Sequence, residues 1–356
     1  MKPAAPRDRR SLLTAAATLG GSVLLVYAVR SAGVEESLEG IRRVGWGLLA
    51  ILGLAGLRFV LRATCWRLCM PPGTSLTFGQ AFSAFLAGDA VGSVTPLGLL
   101  ASEPTKVLLT RRHLATREAV TSLAVENLIY ATSAVAMVGA GLVVLLATVP
   151  LPPPWPWVIA SALAAMAGGV AFVGFVMRGT WDASRGARPA WRERLAGMRL
   201  AVLGIWSGHP GRLWTVLILD LLFHLLSVLE VFITLRWLFG DRSPTLAQAV
   251  VFEALNRVVI VAFKFVPFRI GVDEAFSGAL APLLAVDAAS GVALAVVRKV
   301  RNLCWSAIGL AIVARHPSRN GHGPARAEPA SVSGIAPTDR GARATDRRES
   351  GSAHPL

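Results

Sequence analysis

The chain has 356 residues, of which 54% are hydrophobic and only 16% are charged. Since an average soluble domain carries about 25% charged residues, this composition excludes an ordinary soluble protein. The formal net charge of +15 comes mostly from arginines in loops and tails. Such arginines orient membrane helices and meet anionic lipid headgroups, so no nucleic acid is expected as a partner.

The N-terminal part combines a basic segment, residues 1–10, with a first apolar run, Leu12–Val29. An apolar run of about 18 residues or more is long enough to span the hydrocarbon core of a bilayer. No clear small-residue cleavage site follows this run, so we interpret it as a retained helix rather than a signal peptide. Runs of similar length recur along the chain, which predicts an all-α polytopic membrane protein.

The second predicted helix spans about Trp46–Arg67 and carries Arg58 and Arg62 within its apolar sequence. Cys65 and Cys69 lie four residues apart near its end, without a nearby histidine or further cysteine to complete a metal site. We interpret both thiols as packing residues, and no metal or other cofactor is expected.

A break follows the next apolar piece, Leu76–Val94, where the sequence reads "TPLGLLASEPTK" from Thr95 to Lys106. Proline lacks a backbone N–H and disfavours helix at the residue before it, so Pro96 with Gly98 predicts a helix break at membrane depth. A short return helix should follow, with Glu103 at its N-terminus and Pro104 in its first turn.

A long helix of about Arg117–Val149 follows this short piece. Glu126 and Tyr130 belong to a set of polar residues that recur every four positions along it, which places them on one stripe of the helix. Glu126, with Asn127 beside it, is therefore a candidate cavity residue.

The middle of the chain contains two further apolar runs, Trp155–Met177 and Leu213–Leu235. The strongly basic loop between them, residues 178–212, includes a stretch typical of an amphipathic interfacial helix. The second run carries Asp220 and His224, and we interpret the lone histidine as a core or cavity hydrogen bonder.

A second break resembles the first. The apolar piece Thr245–Val266 leads into Pro267, Gly271 and Glu274, which repeat the P-x6-E spacing of Pro96–Glu103 at an offset of 171 residues. Each P-x6-E segment follows an apolar run and precedes a short apolar piece and then a long helix. The matching context predicts an internal repeat.

The domain plan follows from these elements. A basic cytoplasmic N-terminus precedes a transmembrane domain of residues 11–315, which ends in a helix of about Ala288–Ala314. The repeat motifs lie at 76–149 and 245–314. The polar, proline- and arginine-rich tail, 316–356, lacks apolar periodicity and is predicted to be disordered.

The positive-inside rule gives the two motifs opposite orientations. Both termini and the 178–212 loop should be cytoplasmic, with Leu76–Arg112 as a hairpin entering from the cytoplasm and Thr245–Leu284 as one entering from outside. About six full transmembrane helices then accompany two oppositely oriented re-entrant hairpins that form an inverted repeat. Inverted repeats with broken helices are typical of transporters, whose binding sites lie near the midplane.

Many ionisable residues fall within these apolar segments, where each is costly. They either form internal salt bridges and helix caps, or line a wet cavity in which arginines hold a phosphate-like headgroup, and the two interpretations are compatible. The candidate cavity residues are Glu103, Lys106, Glu126, Asn127, Glu253, Asn256, Arg257, Lys264, Glu274, Arg298 and Arg301.

Four segments carry a resemblance to a known family: "VTPLGLLASEPTKVLLTRRH", "AVENL", "FVPFRIGVDEAFSGAL" and "AVVRKVRNLCWSAIGL". They resemble the lysylphosphatidylglycerol synthase transmembrane family, over roughly residues 10–315. The run "PFRIG" departs from the glycine-rich form that is common there. The resemblance implies a stand-alone, flippase-like, lipid-handling membrane domain with no catalysis of its own, and only a polar tail follows Ala314 where a synthase domain would need hundreds of residues.

Three functions remain open on the sequence. The first is a translocase for a membrane lipid with a polar, anionic headgroup. The second is an intramembrane enzyme for lipid-linked substrates, which would need carboxylates such as Glu126 and Glu253 to converge. The third is a non-transporting partner subunit of a lipid-biosynthesis enzyme. The first is preferred, in a bacterial inner membrane, and the chain is not expected to be an enzyme.

Overall fold

The computed structural model describes residues 42–95, 98–178, 204, 210–239, 244–264, 266–269 and 271–315. All regular secondary structure in these ranges is helical. Several predicted features lie outside the described residues: the segment 1–10, the apolar run Leu12–Val29, Pro96, the interfacial helix of the 178–212 loop and the tail 316–356.

Within the described ranges we number nine α-helices in chain order. They are α1 (Gly47–Leu68), α2 (Phe78–Val94), α3 (Gly98–Thr110), α4 (Thr116–Thr148), α5 (Trp155–Arg178), α6 (Pro210–Phe239), α7 (Leu246–Ala262), α8 (Val272–Leu280) and α9 (Ala288–Arg315), with short 3-10 turns at Pro267–Arg269 and Ala281–Leu284.

Four of the described helices, α1, α4, α5 and α6, are long and apolar enough to cross a membrane. Helix α9 has 28 residues, but Arg298, Lys299 and Arg301 interrupt its apolar sequence. The chain is therefore a multi-pass helical membrane protein. The count of six crossings stays a prediction, because the first apolar run is not described and α9 does not meet the same criterion.

Helices α2 and α7 begin in the same way. The Thr77 hydroxyl accepts a hydrogen bond from the backbone N–H of Gln80, whose side chain accepts one from the backbone N–H of Thr77. Thr245 and Gln248 form the same reciprocal capping box at the start of α7. Such a box satisfies two backbone donors that a helix start leaves free. Both helices then run for 17 residues before the chain breaks.

The first break is short. Helix α2 ends at Val94, Thr95 is extended with φ −104° and ψ 140°, and α3 begins at Gly98. Because the helix restarts so soon, Glu103 lies inside α3 rather than at its N-terminus, and Pro104 lies inside the helix as well. The prediction that Glu103 caps this helix is therefore wrong.

Gly98 has a packing reason to be glycine. A Cβ atom at this position would overlap the backbone carbonyl of Gly92 on α2. The start of α3 therefore lies directly against α2, and the two helices form a tight hairpin in which any larger residue would push the backbones apart.

The second break is longer and has an irregular backbone. Phe268 and Arg269 both have φ of 49°, and Gly271 has φ of 77° at the N-cap of α8. Glycine adopts a positive φ without the steric cost that other residues incur. Glu274 lies in the first turn of α8, as predicted, where the helix dipole favours an acid.

Helices α1–α4 and helices α6–α9 pack against each other as two groups. Helix α1 pairs with α6 at the centre, α2 packs along α9, and α7 packs along α4. The short helix α3 lies on α2, whereas α8 lies mainly on α9, and α5 packs mainly on α4. The largest apolar core includes Val231, Leu235, Phe252 and Leu294, each at most 1% exposed.

The two breaks meet. Phe268, in the 3-10 turn of the second break, packs against Val94 at the end of α2, and Leu303 and Leu310 of α9 border this contact. Two interruptions that are distant in sequence therefore lie side by side in the interior of the helical domain.

Candidate functional site

Many charged side chains in the helical domain fall into two sets, which differ in access. One set, called the buried network, lies among α1, α4, α6, α7 and α9. The other, called the break-side charges, lies around the two helix breaks. The buried network comprises Arg58, Arg62, Glu126, Asp220, Glu230, Glu253, Arg257, Arg298 and Arg301, and the break-side charges comprise Asp89, Glu103, Lys106, Lys264, Arg269, Asp273, Glu274 and Lys299.

Glu253 of α7 is the acceptor for two arginines of the buried network. Its Oε1 lies 2.8 Å from Arg257 Nη2, one helical turn away, and its Oε2 lies 3.0 Å from Arg298 Nη2 on α9. Glu253 is 4% exposed. The carboxylate therefore ties α7 to α9 without contact with water.

Glu230 of α6 has the equivalent role between α1 and α9. Its Oε2 lies 3.3 Å from Arg58 Nη2, and its Oε1 accepts a bond from Arg301. The Ser227 hydroxyl, one turn earlier, accepts hydrogen bonds from Arg58 at 2.8 Å and from Arg257 at 3.0 Å. Ser227 thus links the Glu230 group to the Glu253 group.

Glu126 of α4 completes the buried network. Its Oε1 lies 2.8 Å from Arg62 Nη1, and the Arg62 guanidinium lies 3.7 Å from the centre of the Tyr130 ring. The Tyr130 hydroxyl accepts a hydrogen bond from Arg257. Cation–π contacts of this kind gain strength when they are removed from water. Five helices are therefore joined through one continuous set of polar contacts.

The buried network fits the salt-bridge interpretation of the sequence. Removing one partner of a buried pair typically costs about 3–5 kcal/mol, because the other charge is left without compensation. We find such pairing for Glu126, Glu253, Arg257, Arg298 and Arg301. These residues hold helices together, and their buried side chains leave a ligand little access.

The break-side charges include three ion pairs with a more accessible acid. Glu103 lies 2.9 Å from Lys106, whose ammonium also lies 4.1 Å from the centre of the Phe85 ring. Arg269 lies 3.0 Å from Asp273, one helical turn later. Glu274 pairs with Lys299 of α9. The side chains of Glu103 and Glu274 are 25% and 15% exposed, so water or a ligand can reach them.

Two break-side charges have no ion-pair partner within the described residues: Asp89 on α2 and Lys264 just after α7. Both side chains are exposed. Asp89 lies within electrostatic reach of Lys106 and Arg269, and also of Arg62 and Arg301 of the buried network. Lys264 lies within reach of Glu103, Lys106 and Asp89. An unpaired acid and an unpaired base therefore stand beside the converging breaks.

The two sets also differ in formal charge. With every group ionised, the buried network holds five arginines and four acids, whereas the break-side set holds four bases and four acids. The interior of the domain therefore carries one more positive charge than negative charge among these residues. The excess lies in the buried network, whereas the break-side charges, which a ligand can reach, are balanced.

Some sequence candidates do not join either set. Asn127 and Asn256 are half-buried and make no hydrogen bond with a described residue. The candidates predicted from the sequence did not include eight members of the two sets. These are Arg58, Arg62, Asp220 and Glu230 of the buried network, and Asp89, Arg269, Asp273 and Lys299 of the break-side charges. For the four of the buried network, the available signal was their position as ionisable residues inside apolar helices.

The chain was compared with protein families, with curated proteins and with solved structures. The family model described as lysylphosphatidylglycerol synthase TM region matches residues 12–309. No curated protein matches the chain, and no solved structure does. The matched region includes both helix breaks and all members of both charged sets. The chain therefore belongs to the lysylphosphatidylglycerol synthase TM region family.

Proposed function

We propose that this protein is a lipid translocase of the bacterial inner membrane, which moves a lipid with a polar, anionic headgroup between the leaflets. The observation that carries the proposal is a pair of exposed charges, Asp89 and Lys264, which have no ion-pair partner in the described part of the chain and lie beside two converging helix breaks. Non-helical backbone inside a membrane is tolerated only where protein buries it or where it lines a wet cavity. The exposure of these charges favours the second arrangement.

The two groups α1–α4 and α6–α9 form the halves of an inverted repeat in this proposal. The helix contacts support it, because exchanging the halves turns the α2–α9 contact into the α7–α4 contact and leaves the α1–α6 pair unchanged. The matching capping boxes of α2 and α7 support it independently. The short helices α3 and α8 do not follow this symmetry. Helix α3 lies on α2, whereas α8 lies mainly on α9 rather than on α7.

A pair of glycines supports the same relation at the level of single residues. On α4, Gly141 faces the backbone carbonyl of Val250 and the Cβ atom of Ala254, one turn later. On α9, Gly309 faces the carbonyl of Leu86 and the Cβ atom of Ala90, again one turn later. Each long helix approaches the broken helix of the other half through a glycine.

The proposed orientation follows the loop charges. The α2–α3 hairpin enters from the cytoplasm, the α7–α8 hairpin enters from outside, and both termini are cytoplasmic. Six full crossings surround these hairpins. The breaks then meet between the two halves, where transporters with inverted repeats place their substrate sites.

The break-side charges bind the headgroup in this scheme. Lys264 supplies an ammonium with no ion-pair partner among the described residues, and Lys106 becomes available when Glu103, which is 25% exposed, turns toward water. The acyl chains stay in lipid while the headgroup crosses between the halves. The chain needs no catalytic step for this, and the carboxylates of Glu126 and Glu253 are each engaged by arginine, which disfavours a role as general base.

The test is lipid movement by the purified protein in liposomes that contain a trace of fluorescently labelled phosphatidylglycerol. A reducing agent that cannot cross the membrane bleaches only the label in the outer leaflet. We expect the wild-type protein to expose label from the inner leaflet, and Lys264→Ala to lose this activity. Arg117→Ala, which removes an exposed basic residue from the first turn of α4, should retain it.

Two results would contradict different parts of this proposal. Equal lipid movement by the wild-type protein and a folded Lys264→Ala variant would remove the assigned role of the break-side charges. Copurification of a stoichiometric enzyme, together with no lipid movement by the isolated protein, would instead favour a partner subunit in lipid biosynthesis.

A further inference from the structure

A polar group that the proposed headgroup site does not use lies between α4 and α6. We call Ser133, Asp220 and His224 the polar trio. Asp220 and His224 lie one turn apart on α6 and are 1% and 3% exposed. The Ser133 hydroxyl of α4 lies between them, 3.1 Å from His224 Nε2 and 3.4 Å from Asp220 Oδ2.

The polar trio has more hydrogen-bond acceptors than protons. Asp220 Oδ1 and His224 Nδ1 are buried and have no hydrogen-bond partner within the described residues. The single hydroxyl proton of Ser133 is also offered to the carbonyl oxygen of Tyr130, at 2.9 Å. When the proton of a neutral imidazole sits on Nε2 it faces Ser133, and the lone pair of Nδ1 is left bare. Buried acceptors without a donor are unfavourable, and a proton on the Asp220 carboxylate reduces their number by one.

Asp220 is the most weakly paired acid of the buried network. Its Oδ1 lies 4.0 Å from Arg62 Nη1, whereas Glu126 lies 2.8 Å from the same nitrogen. A buried carboxylate that lacks a close cation or donor is the one that takes up a proton most readily.

Charged and titratable groups face the polar trio from three other helices. Arg58, Arg62 and Cys65 belong to α1, Glu126 and Tyr130 to α4, and Glu253 and Arg257 to α7. Of these groups, Arg62 is the cation within ion-pair distance of the Asp220 carboxylate, at 4.0 Å.

We propose that the polar trio is a proton-binding site, with the proton carried on the Asp220 carboxylate, and that this proton couples lipid movement to the proton gradient. The coupling half rests on the proposed function. A carboxylate oxygen of Asp220 takes up a proton from water on one side of the membrane. The same proton is then released into water on the other side. No other bond forms or breaks.

Arg62 connects the polar trio to the rest of the buried network. It is shared between Asp220 and Glu126, so protonation of Asp220 leaves it to Glu126 alone. Arg62 also lies over the Tyr130 ring, and the Tyr130 hydroxyl accepts the hydrogen bond from Arg257. A proton on Asp220 therefore changes the charge balance of the arginines that join the two halves.

Proton binding is tested without any transport, by infrared difference spectroscopy of the full-length protein in liposomes between neutral and acidic pH. We expect a carboxylic-acid C=O band on acidification that Asp220→Asn lacks and that Glu118→Gln, at an exposed position on α4, retains. Ser133→Ala keeps the acid but removes a hydrogen-bond donor, so it should shift the band. This second variant keeps the test valid if Asp220→Asn does not fold.

Coupling is tested with the same labelled phosphatidylglycerol tracer under an imposed pH difference. Movement of one proton together with each anionic lipid, in the same direction, predicts about tenfold accumulation of tracer, per pH unit, in the leaflet that faces the lower proton concentration. Asp220→Asn should distribute the tracer equally between the leaflets.

The two readouts separate the possible failures. Absence of the Asp220-dependent infrared band overturns the proton site, whatever the lipid does. If the band is present but the distribution of tracer between the leaflets does not change with the pH difference, the coupling is overturned and lipid translocation still stands. A band without any lipid movement supports the proton site and overturns the coupling together with the proposed function.

Discussion

The buried network and the break-side charges use the same residue types for different ends. In the buried network Glu253 is held by two arginines and shielded from water, whereas at the breaks Asp89 and Lys264 are exposed and have no ion-pair partner within the described residues. Access, rather than the presence of charge, separates a residue that holds helices together from one that can bind a ligand. Buried charges should therefore control stability, and accessible charges should control lipid binding.

The largest stability effect is expected from Glu253→Ala. The variant leaves Arg257 and Arg298 without their shared carboxylate, and a broken buried pair costs about 3–5 kcal/mol. We expect little folded protein, measured as the monodisperse fraction after detergent extraction and as thermal unfolding. Glu118→Ala removes an exposed glutamate from α4 and should behave as wild type. Comparable losses in the two variants would show that burial does not distinguish them.

A smaller loss is expected from Gly98→Ala, which affects the geometry of the first break and no charge. The added methyl group overlaps the Gly92 carbonyl, and overpacking of this kind costs about 1–3 kcal/mol. Gly53→Ala on α1 is the matched control, because no atom lies within 4 Å of its added Cβ. In the same detergent, Gly98→Ala should have a clearly lower unfolding temperature than Gly53→Ala. The reverse order would refute the close α2–α3 contact.

Gly271→Ala at the second break should destabilise the protein slightly less than Gly98→Ala at the first. Gly271 has φ of 77° and open space around its Cβ position, so Gly271→Ala carries only the left-handed backbone cost of roughly 1–2 kcal/mol. We expect a modest fall in unfolding temperature, together with a loss of lipid movement as α8 tilts. Gly271→Asn, which tolerates a positive φ better, should recover part of both. Equal behaviour of the two variants would show that φ is not the constraint.

The smallest stability effect is expected from Lys264→Ala. The side chain is exposed and unpaired within the described residues, so the change in unfolding free energy should stay within about 0.5 kcal/mol. Chemical denaturation of wild type and variant side by side measures it. A loss as large as that of Glu253→Ala would place Lys264 among the structural charges.

Local features of the fold were available from the sequence. The spacing of Thr77 and Gln80, repeated at Thr245 and Gln248, is the signature of a capping box, although only the breaks that follow were predicted. The Glu253–Arg257 pair is one helical turn apart and is visible as a spacing. The restart of α3 at Gly98 was missed, because it depends on how closely the helix packs against Gly92.

The ion pairs between residues that are far apart in the chain could not be predicted from the sequence. Arg62 pairs with Glu126, which lies 64 residues away, and nothing local indicates which acid an intramembrane arginine selects. The same holds for Arg58 and Arg301, which meet at Glu230 only because α1, α6 and α9 converge. The difference in access between the two sets of charges is likewise a property of packing.

Native mass spectrometry of the purified protein tests the headgroup role of the break-side charges most directly. We expect the wild-type protein and Arg117→Ala to retain one anionic phospholipid, and Lys264→Ala to lose it while it stays folded. Loss of this lipid in the Lys264→Ala variant alone would show that the headgroup binds at the accessible charges. Equal lipid occupancy in all three proteins, or none in any, would contradict it.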